Sequence, residues 1–197
     1  MGQRLIVTVR SIGEDICKMY FHWSAYTIPA LVEVRDMMAE FPMETKSKDE
    51  AILYFIRYCE KNGGGISNGY GSQEWNYIIS KYPNEKFKET NINRNRGLIS
   101  ISKEDMDDTQ RWSEGDIIIN LDDMTVHNEV FLCYSNIDEL NSEFLDRGDD
   151  PLTLEDIPEV GEIGDFDLED IDDVIFNLKH ISGFVCRNGN EIYELIA

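Results

Sequence analysis

Charge limits what this chain can become more than any other feature. Of the 39 Asp and Glu residues among 197, sixteen fall between positions 136 and 173, where Arg147 is the one basic residue. That stretch carries −15, residues 1–135 carry −6 and residues 174–197 are neutral, which together make the −21 of the whole chain. Carboxylates without partners are costly to bury, so this run has to lie on a surface. Its apolar residues, Leu154, Ile157, Val160, Ile163, Phe166, Leu168, Ile171 and Val174, recur every two or three positions. That spacing tethers the run to a body. The rest of the chain can supply one, because 42% of all residues are hydrophobic and 11% aromatic, too much for a disordered chain. A single domain over 1–197 is expected, with 148–173 as an acidic tethered segment inside it.

The patterning predicts an N-terminal hairpin, from QRLIVTVR at 3–10 and a strand over 16–23, with a turn at 11–15. Apolar positions Leu31, Val34, Met37, Met38 and Phe41 predict a helix within 24–41. Ser47 and Glu50 form a capping box for a second helix that runs to Gly63. The GGGISNGYG stretch at 63–71 reads as a loop; without a following Lys-Ser/Thr it is no phosphate loop. Trp75, Ile78, Ile79 and Tyr82 predict a short helix before Pro83. A strand at 97–102, a helix opened by Ser102, a hairpin from 116–121 and 125–134, a helix at 136–145 and a hairpin around Asn188-Gly189 complete the chain. The expected fold class is α+β: a mainly antiparallel sheet built from hairpins, with segregated helices and an acidic C-terminal segment.

No catalytic apparatus is legible. Cys17, Cys59, Cys133 and Cys186 lie in apolar segments without a close pair, as buried free thiols do. His22, His127 and His180 have no metal-ligand spacing. Asp165, Asp167 and Glu169 match the first positions of a calcium loop, but Asp170 stands where Gly is needed and Phe176 where the bidentate Glu is needed. No metal, no cofactor and no enzymatic activity are expected.

Two surfaces are candidates for binding. The first is the acidic run: Asp149, Asp150, Glu155, Asp156, Asp165, Asp167, Glu169, Asp170, Asp172 and Asp173. Carboxylates on a folded scaffold can either be solvated or stand in for phosphates before a basic groove. The second comprises Tyr20, His22, Trp23, Tyr26, Arg94 and Arg96, where the arginines would hold a phosphate and the rings would stack on a base. In a continuous strand Tyr20 and His22 share one face, and Phe21 and Trp23 the other. Residues 81–103 carry +4, and the simplest expectation is that this strip pairs with the acidic run.

MGQRL at the N-terminus, YFHWSAYT at 20–27, and RNRGLISIS (94–102) with WSEGDIIINL (112–121) together resemble uncharacterised small accessory proteins of phages and prophages of Gram-positive bacteria. The resemblance covers parts of residues 1–134 and carries no catalytic residue. It implies an accessory protein acting in the host cytoplasm. With the acidic run, the expectation is an anti-defence inhibitor of DNA-mimic type. Its partner would be a host nucleic-acid-binding protein with a basic groove, such as a CRISPR effector or a defence nuclease. No direct nucleic-acid contact and no membrane contact are expected, and an oligomer through the C-terminal hairpin is open. The alternative expectation is a sponge-type binder that sequesters a phosphorylated nucleotide.

Overall fold

The computed structural model describes residues 3–42, 47–67, 73–88, 93–130, 132–134, 136–160, 164–181 and 185–195. Strands β1 (Arg4–Ser11) and β2 (Glu14–His22) form the expected hairpin. Its turn residues Ile12 and Gly13 both have positive φ, 54° and 68°, the backbone of a two-residue hairpin loop that follows the strand twist. Asp122 holds that loop: its carboxylate accepts from the N–H of Ile12 at 2.7 Å and of Gly13 at 3.0 Å. Those two donors lower the Asp122 pKa.

Helices α1 (Thr27–Met38) and α2 (Lys48–Lys61) follow. Ala30, Leu31, Val34, Met37 and Met38 bury one face of α1, and Ala51, Ile52, Phe55, Ile56 and Cys59 one face of α2. The Ser47 hydroxyl accepts from the Glu50 N–H, as its cap position requires. Within the expected loop, Gly65–Ile66 is a short strand, β3; residues 68–71 lie outside the described residues. Then come α3 (Glu74–Lys81), a 3-10 turn at Arg94–Arg96, β4 (Leu98–Ser100) and α4 (Lys103–Gln110). The chain continues through β5 (Gly115–Asn120), β6 (Thr125–Asn128), β7 (Leu132–Tyr134) and α5 (Ile137–Arg147). It closes with β8 (Asp165–Asp167), α6 (Ile171–Lys179), β9 (Val185–Asn188) and β10 (Glu191–Glu194).

The class is α+β, but the main sheet is mixed. Its order is β3-β4-β2-β1-β5-β6-β8. β1 pairs with β5 and β3 with β4 in parallel, while the other four pairs are antiparallel. A sheet built from hairpins alone has no place for the β1–β5 pair, which joins residues 110 apart and puts β1 in the centre. Central position explains why RLIVTVR is buried almost throughout rather than alternately.

One face of this sheet carries Leu5, Val7, Val9, Cys17, Met19, Phe21, Ile99, Ile117, Ile119, Val126 and Phe166 into the main core, under α1, α2 and α6. The other face carries Arg4, Thr8, Lys18, Tyr20, His22, Asp116 and His127. Helix α4 packs against its β2 and β4 region.

The expected strand over 125–134 is two strands in different sheets. β7, β10 and β9 make a second, three-stranded sheet in that order. With α5 it encloses a small cluster of Tyr134, Leu140, Phe144, Ile157, Val185 and Ile192. Cys186 and Tyr193, opposite each other on β9 and β10, face the main core instead.

The acidic run is not a C-terminal appendage. Residues 148–160 cross the small cluster, anchored by Ile157. Asp165–Asp167 is the edge strand of the main sheet, and Ile171, Ile175 and Leu178 of α6 are buried in the main core. Among the described residues, no helix is long and apolar enough to cross a membrane.

Candidate functional site

The ten acidic candidates are all exposed, and local folding explains where each sits. Asp149 and Asp150 follow Gly148, which ends α5 in the left-handed region at φ 86°. Glu155 and Asp156 lie in a 3-10 turn at Leu154–Asp156, where Asp156 accepts from the Thr153 N–H and hydroxyl at 2.8 and 2.7 Å. Those bonds lower the Asp156 pKa. Asp165 and Asp167 flank buried Phe166 on β8, so both point to the polar side of the sheet. Glu169, Asp170, Asp172 and Asp173 surround the start of α6. The helix dipole favours negative charge there.

Few of these carboxylates are neutralised. Asp165 meets His127, and Asp172 lies 3.6 Å from Arg35. Asp149, Asp150, Glu155, Asp167, Glu169, Asp170 and Asp173 make no ion pair among the described residues. The expected pairing with the 81–103 strip is not found among the described residues. Arg94 and Arg96 precede β4, which lies five strand spacings from β8. At ~4.8 Å per strand that is roughly 24 Å, beyond about two Debye lengths at physiological salt. Lys81 pairs with Asp49 instead, at 3.2 Å, and Glu85 with Arg57 at 2.8 Å.

A second cluster forms on the polar sheet face, where β2 ends and β1 and β5 begin. The Tyr20 hydroxyl and His22 Nδ1 are 2.7 Å apart. Arg4 pairs with His22 across the strands, so its side chain lies on the same face. Glu114 accepts from the Arg4 N–H at 2.9 Å and Nη2 at 2.7 Å, and the Arg4 guanidinium lies 5.6 Å from the centre of the Trp112 ring. Burial raises the Tyr20 pKa, and the charges of Arg4 and Arg94 oppose that rise.

The strand alternation expected for Trp23 fails. β2 stops at His22, and Trp23 has φ 65°, a conformation that costs a bulky L-residue about 1–2 kcal/mol. The ring therefore leaves the core side on which Phe21 and Ala25 are buried. It stands 51% exposed, edge-on to His22 at 5.0 Å. Tyr26 is the half-buried N-cap residue of α1, and no contact places it with Tyr20 or His22. Arg94 and Arg96 lie two residues apart on a 3-10 turn packed against β2; the Arg94 charge acts on Tyr20, and the Arg96 charge on half-buried Glu33. Arg4, Trp112 and Glu114 are the residues the sequence did not offer. The β1–β2 hairpin places Arg4 opposite His22, and the parallel β1–β5 pairing brings Glu114 and Trp112 to Arg4.

Two further titratable groups stand out. Glu74 is fully buried, and its carboxylate accepts from the N–H groups of Ile101 and Ser102 and from the Ser102 hydroxyl. Burial pushes its pKa up to about 7, with a hydrogen bond shared with Asp105 adding to the rise. The adjoining cleft, about 410 Å³, is lined by Tyr77, Ser80, Ser102 and Asp105 among others. His127 lies between two carboxylates, its Nε2 2.8 Å from Glu129 and its Nδ1 against Asp165. Glu129 first and Asp165 second raise its pKa. Cys17 and Cys59 are buried free thiols whose pKa values burial pushes far up, so neither supplies a thiolate nucleophile.

Comparisons with protein-family models, with curated proteins and with solved structures find no match.

Proposed function

We propose that this chain is a binding protein that presents carboxylates in place of phosphates to the basic groove of a nucleic-acid-binding protein. The observation that carries the reading is the set of exposed, unpaired carboxylates fixed on ordered elements: β8, the start of α6 and the 3-10 turn at 154–156. Carboxylates meant only for solubility gain nothing from a fixed scaffold; a mimic does, because ordering them beforehand lowers the entropy cost of docking. Phe176 is 59% exposed, one turn along α6 from Asp172 and Asp173. It adds an apolar contact inside the charged rim, the arrangement in which binding energy concentrates. On the resemblance to phage and prophage accessory proteins, the partner is a host defence protein and the setting is the host cytoplasm.

The test is capture of partners from lysate of a host carrying defence systems, using the wild type and a variant with Asp167, Glu169, Asp170 and Asp173 all changed to Lys. A mimic retains a nucleic-acid-binding protein at low salt, releases it at high salt, and is displaced by a DNA duplex. The variant, folded by circular dichroism, loses that protein. Retention equal to wild type by the folded variant refutes the reading.

A further inference from the structure

We infer that the rim formed by the end of β2 and the starts of β1 and β5 is a separate site for a mononucleotide, with the base against Tyr20, His22 and the two exposed tryptophans, and the phosphate on Arg94. The two faces of the main sheet are covered differently. The core face is closed by α1, α2 and α6. At this rim the polar face keeps large aromatic groups at the surface: Trp23 is 51% and Trp112 53% exposed. Trp23 stands against His22 and Trp112 against Arg4, the residue opposite His22, so both rings belong to one rim, and exposed aromatics gathered at one rim mark a surface that is covered in use.

Two separate chain features put them there. Trp23 is turned outward by a left-handed backbone that no glycine relieves, and conformations of this kind collect at functional sites. Trp112 follows α4 and is held under the Arg4 guanidinium. Rings on an open sheet face that also offers cations are the means by which proteins stack nucleobases.

Charge selects the ligand. Arg4 is occupied by Glu114 through two contacts, so the pair is close to neutral. The 3-10 turn that carries Arg94 packs against β2, and Arg94 is exposed and makes no hydrogen bond or ion pair among the described residues. Arg94 thus leaves its guanidinium available to a phosphate group. The Nε2 of His22 is left for a base edge, since its Nδ1 is taken by Tyr20. A long nucleic acid does not fit, because a chain of −21 repels a polyanion. A single nucleotide meets chiefly the local field. The acidic surface lies across the sheet, so this site and the proposed docking surface can fail separately.

The experiment titrates full-length protein with 3′,5′-cyclic AMP, AMP, adenosine and inorganic phosphate, reading quenching of tryptophan fluorescence with calorimetry in parallel. The expected result is saturable quenching by the two nucleotides. Adenosine and phosphate each bind at least tenfold more weakly, since each keeps half of the contacts. Arg94→Glu, at an exposed position, weakens nucleotide binding at least tenfold, and Trp112→Ala reduces the quench. The four-Lys variant of the acidic surface binds nucleotide as tightly as wild type. No saturable binding below about 1 mM, a limit of roughly −4 kcal/mol, or binding that Arg94→Glu leaves unchanged, overturns the inference.

Discussion

Replacing Glu74 by Gln isolates the most strongly perturbed carboxyl outside the acidic surface. Its side chain is fully buried between α3 and the start of α4, accepting hydrogen bonds from Ile101 and Ser102. Burial raises its pKa from 4.5 to about 7. The folded state therefore binds this proton more tightly than the unfolded state. The resulting stability is fully present below pH 4.5 and is lost as pH rises through about 7. A tenfold change in proton affinity is worth ~1.4 kcal/mol, so between pH 5.5 and pH 8 the wild type should lose about 2 kcal/mol from this group. Gln cannot titrate. The charge repulsion of the rest of the chain is common to both proteins, so it cancels in their difference. Urea unfolding followed by tryptophan fluorescence at pH 5.5 and pH 8 gives that difference. It should move in favour of E74Q by about 2 kcal/mol between the two pH values. A difference that stays constant would show that Glu74 has an ordinary pKa, and that its burial is relieved in solution.

Three further outcomes are expected. Glu129 and Asp165 raise the His127 pKa, so its stabilisation is present below pH 6.5 and fades as pH rises through its raised pKa; His127→Gln should remove a contribution of less than about 1 kcal/mol, because the site is half-exposed, and an NMR titration should place the imidazole above 6.5. A Cβ on Gly64 would run into the backbone carbonyls of Arg96 and Gly97, so Gly64→Ala should unpair β3 from β4, lower the melting temperature by several degrees and weaken the Arg94 contact with nucleotide. Cys17 and Cys59 should react with a thiol reagent only as fast as the protein unfolds, a rate that urea raises; rapid labelling in native buffer would contradict their burial.

The helices and local turns were legible because their causes are local. The Ser47 cap, the 3.6-residue apolar spacing of α1 and α2, and the Asp122–Met124 turn each involve residues within one or two turns of one another. The GGGIS stretch was not legible as a strand. Two residues after a run of glycines carry no strand pattern, and Gly65 and Ile66 are strand because β4 pairs with them. The candidate site shows the same division. Exposure of the acidic run followed from charge alone, and all ten carboxylates are at the surface. Their distance from the basic strip did not follow, because strand order fixes it.

Local causes therefore set the class of the fold, the hairpins and helices closed by near neighbours, and the surface position of the carboxylates. Long-range packing decided that β1 sits beside β5, that the acidic run is split between two clusters, that Trp23 turns away from the core, and that Trp112 and Glu114 meet Arg4. The physical reason is range. Capping, turn geometry and burial of charge act on a residue and its chain neighbours, whereas a parallel pair joining residues 110 apart is selected only by how well the whole core closes around it.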